Sequence, residues 1–137
     1  MREITKLMIN EFNIEKLGYD MMGYTFKNIH ELSFHHLIIP KRLCYHLENR
    51  GYTRDNGAIL NQSSSHNYLH TIEIYDRDKF LEITKYLVEE NKMGKIDIEI
   101  IKEIRDILIE FENECGDIIK PNGASIIKKE YKNRINL

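Results

Sequence analysis

Four of the six histidines in this chain fall into two tight clusters. His35 and His36 are adjacent, so on a β-strand their side chains would point to opposite faces. His66 and His70 are four residues apart, so on a helix they would share one face and could bind one ion together. Three imidazoles for a metal ion, with a fourth left free for proton transfer, are typical of a hydrolytic site.

Each histidine taken alone is better explained as an ordinary core or surface residue. The set is harder to explain in that way, because both clusters are spaced for metal ligation. An Asn56-Gly57 turn and a short apolar segment at 58–60 also separate the two clusters. We therefore interpret the clusters as parts of one site.

The order His-His, then Asn, then two histidines four residues apart resembles the motif of the HNH endonucleases, which have the ββα-metal fold. It is most similar to the version found in bacterial nuclease toxins and in short phage or mobile-element HNH proteins. The resemblance covers about residues 31–76 and includes Pro40, which matches a proline that often follows the histidine pair.

The resemblance implies a role for each residue of the motif. His35, His66 and His70 would be metal ligands, and His36 would be the general base. Asn56 would tie the two strands together and help to set the base. Three imidazoles favour Zn²⁺ or Ni²⁺ over Mg²⁺, whereas related sites in the family also use Mg²⁺ or Mn²⁺.

The chain departs from the family pattern in three ways. No CxxC pair flanks the motif, so the structural zinc knuckle of many HNH proteins is missing. The long stretch between His36 and Asn56 implies an enlarged loop between the strands. The net charge is −2, whereas most enzymes that act on nucleic acids are basic.

Phosphodiester hydrolysis requires a base for the attacking water and positive charge near the phosphoryl and leaving oxygens. An imidazole with a pKa of about 6.5 suits the base at neutral pH. Cationic residues in the long loop are candidates for phosphate contacts, although any one of them is more often a solvated charge: Lys41, Arg42, Arg50 and Arg54.

The elements around the motif follow from its residue types. We predict a first strand over Leu32–Ile39 and a second over Ala58–Leu60. Lys41–Asp55 is predicted to be a loop with one helical turn at Leu43–Leu47. A serine within 61–65 is expected to cap the helix that carries His66, His70 and Glu73. Residues 3–17 fit either strands or a short helix. For the aromatic stretch that follows them, at 19–26, core packing is favoured over base stacking.

Two amphipathic helices are predicted after the motif. Asp76 would cap the first, Gly94 would end it, and Asp97 would cap the second. We therefore predict one α+β domain over 1–137, in which a helical hairpin at 77–115 covers the ββα motif at 31–76. The last part, 116–137, carries 5 Lys and Arg against 2 Asp and Glu and would be a basic tail.

The leading functional hypothesis is a metal-dependent HNH endonuclease that acts on DNA. The alternative is an HNH scaffold that serves a phage or mobile element as an inhibitor or adaptor, with a protein partner or a homodimer. Hydrolysis of a small phosphodiester would use the same chemistry. The sequence has no apolar run of about 18 residues, no signal-peptide pattern and no cysteine framework, so we expect no membrane span and a cytoplasmic location.

Overall fold

The computed structural model of this protein describes residues 1–115, so the predicted basic tail at 116–137 lies outside the described residues. Five α-helices and two strands are found in this range: α1 (Glu3–Glu11), α2 (Ile14–Leu17), β1 (Leu32–His36), β2 (Gly57–Asn61), α3 (Asn67–Tyr75), α4 (Arg77–Met93) and α5 (Ile98–Cys115). This composition agrees with the expected α+β class. None of the helices in this range is both long and apolar enough to cross a membrane.

The two strands form an antiparallel pair in which His35 lies opposite Ala58 and His36 lies opposite Gly57. Strand β1 ends at His36, three residues earlier than predicted. The reason is that the backbone amides of Ile38 and Ile39 donate to the side-chain oxygen of Asn56 instead of to a neighbouring strand. The apolar residues after His36 therefore belong to the long loop.

The predicted serine cap of the histidine-bearing helix is wrong. The side chain of Asn61 accepts the hydrogen bond from the Ser63 amide, and a π-helical turn at Gln62–His66 leads directly into α3. Ser65 donates its hydroxyl proton to the buried carboxyl of Asp20 instead. This turn places His66 one helical turn before His70 at the edge of the sheet.

The N-terminal segment, for which the sequence allowed two readings, is helical. It forms the two short helices α1 and α2, and α2 ends at Gly18, whose backbone φ of 79° is left-handed. The stretch that follows is buried, with Met21, Met22 and Tyr24 almost fully covered. The predicted core packing of this stretch is thus confirmed.

Helices α4 and α5 form the predicted hairpin, with the predicted ends. The side chain of Asp76 accepts from the Lys79 amide, and Gly94 ends α4 with a φ of 71°. The side chain of Asp97 accepts from the amides of Glu99 and Ile100. Each end therefore follows from the local chemistry of one capping residue.

The apolar stripe of α5 packs into the main core of the described chain. Ile104 and Leu108 are buried together with Leu87 of α4 and Ile59 of β2. The hairpin therefore covers the strand pair, as predicted. Without this cover, a two-stranded sheet would have too little apolar surface to be stable.

Candidate functional site

His35, His66 and His70 lie together, as the sequence predicted. Their ring centroids are 5.0 to 5.3 Å apart, and one nitrogen from each ring lies within 4.8 Å of the other two. His35 comes from β1, whereas the other two come from the turn before α3 and from α3 itself. The three imidazoles could therefore hold one metal ion.

Hydrogen bonds occupy Nδ1 in two of the three rings, and the third ring has a buried nitrogen without one. Nδ1 of His66 lies 2.6 Å from the Ser33 hydroxyl oxygen, and Nδ1 of His70 lies 3.4 Å from a carboxylate oxygen of Glu73. Nε2 of His35 is buried and has no hydrogen-bond partner within the described chain. A buried, unpartnered nitrogen is costly unless it serves as a ligand. All three rings can thus offer Nε2 to an ion.

The electrostatic environment keeps this cluster ready to bind a cation. Burial, reinforced by the neighbouring His66, His70 and His36, lowers the pKa of His35 to about 3. Burial, reinforced by His70 and His36, lowers the pKa of His66 to about 4. Both rings are therefore neutral at pH 7, which is the state in which imidazole binds metals.

His36 lies in the same cleft as the cluster, although adjacent strand residues normally face opposite ways. It is the last residue of β1, and its ring packs against Phe34 and Tyr52 with centroids 5.1 and 4.8 Å away. Its Nε2 lies 3.0 Å from the carbonyl oxygen of Arg50. A carbonyl only accepts, so Nε2 carries the proton and Nδ1 is the basic nitrogen.

The pKa of His36 is lowered, chiefly by burial. The hydrogen bond to Arg50 opposes this shift, while the positive charges of Lys41 and Arg2 reinforce it. The ring is consequently neutral at pH 7. A neutral ring with a free Nδ1 is able to accept a proton.

Asn56 organises the loop that carries the partner of His36. Its side-chain oxygen accepts from the amides of Ile38 and Ile39, at 2.9 and 2.8 Å. Its side-chain nitrogen donates to the carbonyls of Ile39 and Gly51, at 3.0 and 3.1 Å. Because Gly51 follows Arg50, this amide fixes the position of the carbonyl that holds the His36 ring.

The Arg50-Gly51 turn has a geometry that the sequence did not reveal. Both residues have left-handed φ angles, of 51° and 77°. A Cβ atom added at Gly51 would lie 2.6 Å from the sulfur of Cys44 and 3.1 Å from the ring of His36. Only glycine therefore lets this turn approach His36 so closely.

The histidines line a cleft of about 670 Å³. Among the described residues that form its walls, Glu73 alone is acidic, against four cationic side chains: Arg2, Lys41, Arg42 and Arg77. The cleft is therefore positive, although the whole chain carries a net charge of −2. Such a local field favours an anionic ligand whatever the net charge.

The four predicted phosphate contacts divide into two groups. Lys41 and Arg42 line the cleft, whereas Arg50 and Arg54 do not. The guanidinium of Arg54 forms two bonds of 2.6 and 2.7 Å with the Glu11 carboxylate and further bonds with Asn91. Arg54 is thus held in a structural contact between α1 and α4, which argues against its predicted role.

Arg2 was missed because nothing in the sequence links it to the motif. Its guanidinium carbon lies 3.6 Å above the ring centre of Tyr52, close enough for a cation–π interaction. Tyr52 in turn packs on His36. The contact therefore brings a cation from the N-terminal segment to the candidate base.

No protein-family model, no curated protein and no solved structure matches this chain.

Proposed function

We propose that this protein is a metal-dependent endonuclease of the HNH type that hydrolyses phosphodiester bonds of DNA. One observation carries the proposal: three histidines that could hold an ion line the same positive cleft as His36, whose Nδ1 is the basic nitrogen of its ring. Two antiparallel strands followed by a helix supply these residues, which is the element order expected for a ββα-metal core.

His35, His66 and His70 would hold the ion, which would be Zn²⁺, Ni²⁺, Mn²⁺ or Mg²⁺. The donor set fits a borderline divalent ion, because three imidazoles converge and the buried Nε2 of His35 has no other partner in the described chain. When bound, the ion supplies positive charge to a phosphoryl oxygen and to the leaving oxygen.

His36 would act as the general base. The Arg50 carbonyl holds its ring at Nε2, and Asn56 holds the adjacent Gly51. Nδ1 has no hydrogen bond within the described chain, so it can take the proton of an attacking water. Its lowered pKa keeps it unprotonated at neutral pH. A positioned base of this kind contributes about 10²- to 10⁴-fold to the rate.

The cations of the cleft would bind the DNA backbone. Lys41 and Arg42 come from the long loop, Arg2 from the N-terminal segment and Arg77 from the start of α4. Guanidinium groups suit phosphate, because they form paired hydrogen bonds with its oxygens. These contacts position the backbone but carry no sequence information.

The decisive experiment is cleavage of supercoiled plasmid in the presence of each candidate metal, with EDTA as the metal-free condition. His36→Ala should lose about 10²- to 10⁴-fold in cleavage rate and keep its metal affinity. His70→Ala should lose both together. His46→Ala is the matched control, because His46 is exposed and lies outside the cleft wall. Plasmid cleavage that survives EDTA, or that ignores His36→Ala, would refute the proposal.

A second candidate function is a binding module on the same scaffold. It is favoured by a cluster of large apolar side chains that are 44 to 65% exposed on the long loop, which are Ile38, Ile39, Leu43, Tyr45 and Leu47. Exposed apolar patches of this kind often mark protein interfaces. If Leu43→Ser abolished capture of a protein partner while plasmid cleavage remained absent under all metals, the adaptor function would replace the nuclease.

A further inference from the structure

Ser33 lies on β1 two residues before His35, so both side chains project from the same face of the strand. Its hydroxyl oxygen is 2.6 Å from Nδ1 of His66 and 3.2 Å from the carbonyl oxygen of Leu60 on β2. The side chain is partly buried between the sheet and the turn that precedes α3. Ser33 therefore connects a candidate ligand with the backbone of the neighbouring strand.

The donors and acceptors around Ser33 determine which nitrogen of the His66 ring carries the proton. A carbonyl oxygen only accepts hydrogen bonds, and a hydroxyl has one proton to donate. When Ser33 donates to Leu60, its oxygen accepts, and Nδ1 of His66 must be the donor. The chain then runs from His66 Nδ1–H to the Ser33 oxygen and from the Ser33 hydroxyl to the Leu60 carbonyl. Nε2 of His66 is left with its lone pair.

We infer that Ser33 is a positioning residue, which holds His66 in the Nδ1-protonated tautomer and thereby presents Nε2 to the ion. The inference rests on the metal centre of the proposed function. Strand β1 then supplies one ligand directly, through His35, and orients a second through Ser33. Ligating histidines generally need such a partner on the second nitrogen, and its loss typically lowers metal affinity 10- to 100-fold.

The contact of His70 with Glu73 gives a comparison within the same site. That contact is longer, at 3.4 Å, and its histidine side chain is 52% exposed. Water can therefore replace Glu73 as a partner of His70 more readily than it can replace Ser33. We expect removal of the Ser33 hydroxyl to lower metal affinity more than Glu73→Gln does.

The first test compares Zn²⁺ and Co²⁺ affinity for the full chain and for Ser33→Ala, by titration against a competing chelator. Ser33→Ala should lose 10- to 100-fold, and Ser33→Thr, which keeps the hydroxyl, should stay close to the parent. Ser64→Ala is the matched control, because the Ser64 hydroxyl is buried without a partner among the described residues. Equal affinity of parent and Ser33→Ala would overturn the inference and leave the metal centre intact.

A second measurement needs no variant and so does not depend on the folding of Ser33→Ala. Long-range ¹H–¹⁵N NMR spectra of the histidine rings, recorded on the metal-free full chain at neutral pH, report the tautomer of His66. The inference expects the proton on Nδ1, whereas a proton on Nε2 would overturn it. If the parent bound no ion at all, the metal centre would fail, but this spectrum would still decide what Ser33 does to His66.

Discussion

Replacing Asn56 with alanine should loosen the loop that orients His36. The substitution removes four hydrogen bonds, two accepted from Ile38 and Ile39 and two donated to Ile39 and Gly51. A hydrogen bond contributes about 0.5–1.5 kcal/mol net, so the four together are worth about 2–6 kcal/mol. Small domains are stable by about 5–15 kcal/mol, so Asn56→Ala should still fold but should unfold at clearly lower urea concentration.

The same substitution should impair the proposed base without changing the proposed metal centre. Within the described chain, the Asn56 side chain forms no hydrogen bond with the three candidate ligand histidines; its bonds reach the loop backbone, including Gly51 beside the Arg50 carbonyl that holds His36. Asn56→Ala should therefore lose cleavage activity while its metal affinity, measured by chelator competition, stays near that of the parent. A variant with the unfolding midpoint and activity of the parent would refute this role for Asn56.

Asn56→Asp refines the test, because it keeps the shape of the side chain and changes only its hydrogen-bonding groups. One carboxyl oxygen can still accept from Ile38 and Ile39, but the other would face the carbonyls of Ile39 and Gly51. Only the protonated acid can donate there, so folding should raise the pKa of the new carboxyl. The variant should therefore gain stability as the pH falls, measured by urea unfolding. Stability unaffected by pH relative to the parent would contradict the argument.

Three further predictions concern the core, a buried acid and the cleft. Ile104→Ala should lower the free energy of unfolding by about 2–5 kcal/mol, because Ile104 is fully buried, and unfolding in urea measures this change. Burial raises the pKa of Glu90 well above its usual value, so its contribution to stability is largest at low pH and is lost as the pH rises. Glu90→Gln should flatten this decline in urea unfolding across a pH series, and parallel curves would contradict it. Lys41→Glu should weaken DNA binding and reduce its salt dependence, whereas Glu103→Lys, outside the cleft wall, should do neither in the same binding assay.

The features that the sequence predicted correctly depend on neighbouring residues. Asp76, Gly94 and Asp97 end their helices through contacts within a few residues, so local pattern was sufficient. The meeting of His66 and His70 follows from helical spacing in the same way. One local prediction was wrong, because Asn61 and not a serine caps the turn before the histidine-bearing helix. Several polar residues there could serve as a cap, and the buried Asp20 engages Ser65.

The features that the sequence did not predict depend on contacts between distant residues. The sequence predicts Arg54 to be a loop cation that contacts phosphate. In the folded chain it binds Glu11, which lies 43 positions away. Ser33 bonds to His66 across 33 positions, and Arg2 reaches Tyr52 in a similar way. Neither the composition of the chain nor the spacing of its residues indicates that such residues are in contact. The order of the motif predicted which residues would form the cluster, and the folded chain was needed to find the groups that orient them.

The acidic net charge, which seemed to argue against DNA binding, matters less than the charges that lie near the histidines. Coulomb interactions between exposed charges fade beyond about 8 Å at physiological ionic strength, so a phosphate senses the nearby side chains and not the total. The charged side chains near the histidines are mostly cationic. Glu73 is the one acid among the described residues of the cleft wall, whereas the cations are Arg2, Lys41, Arg42 and Arg77. The pairing of Arg54 with Glu11 removes one cation from those that could bind the proposed DNA ligand. The salt dependence of binding should thus correspond to about three or four phosphate contacts, and a slope near zero would favour the adaptor over the nuclease.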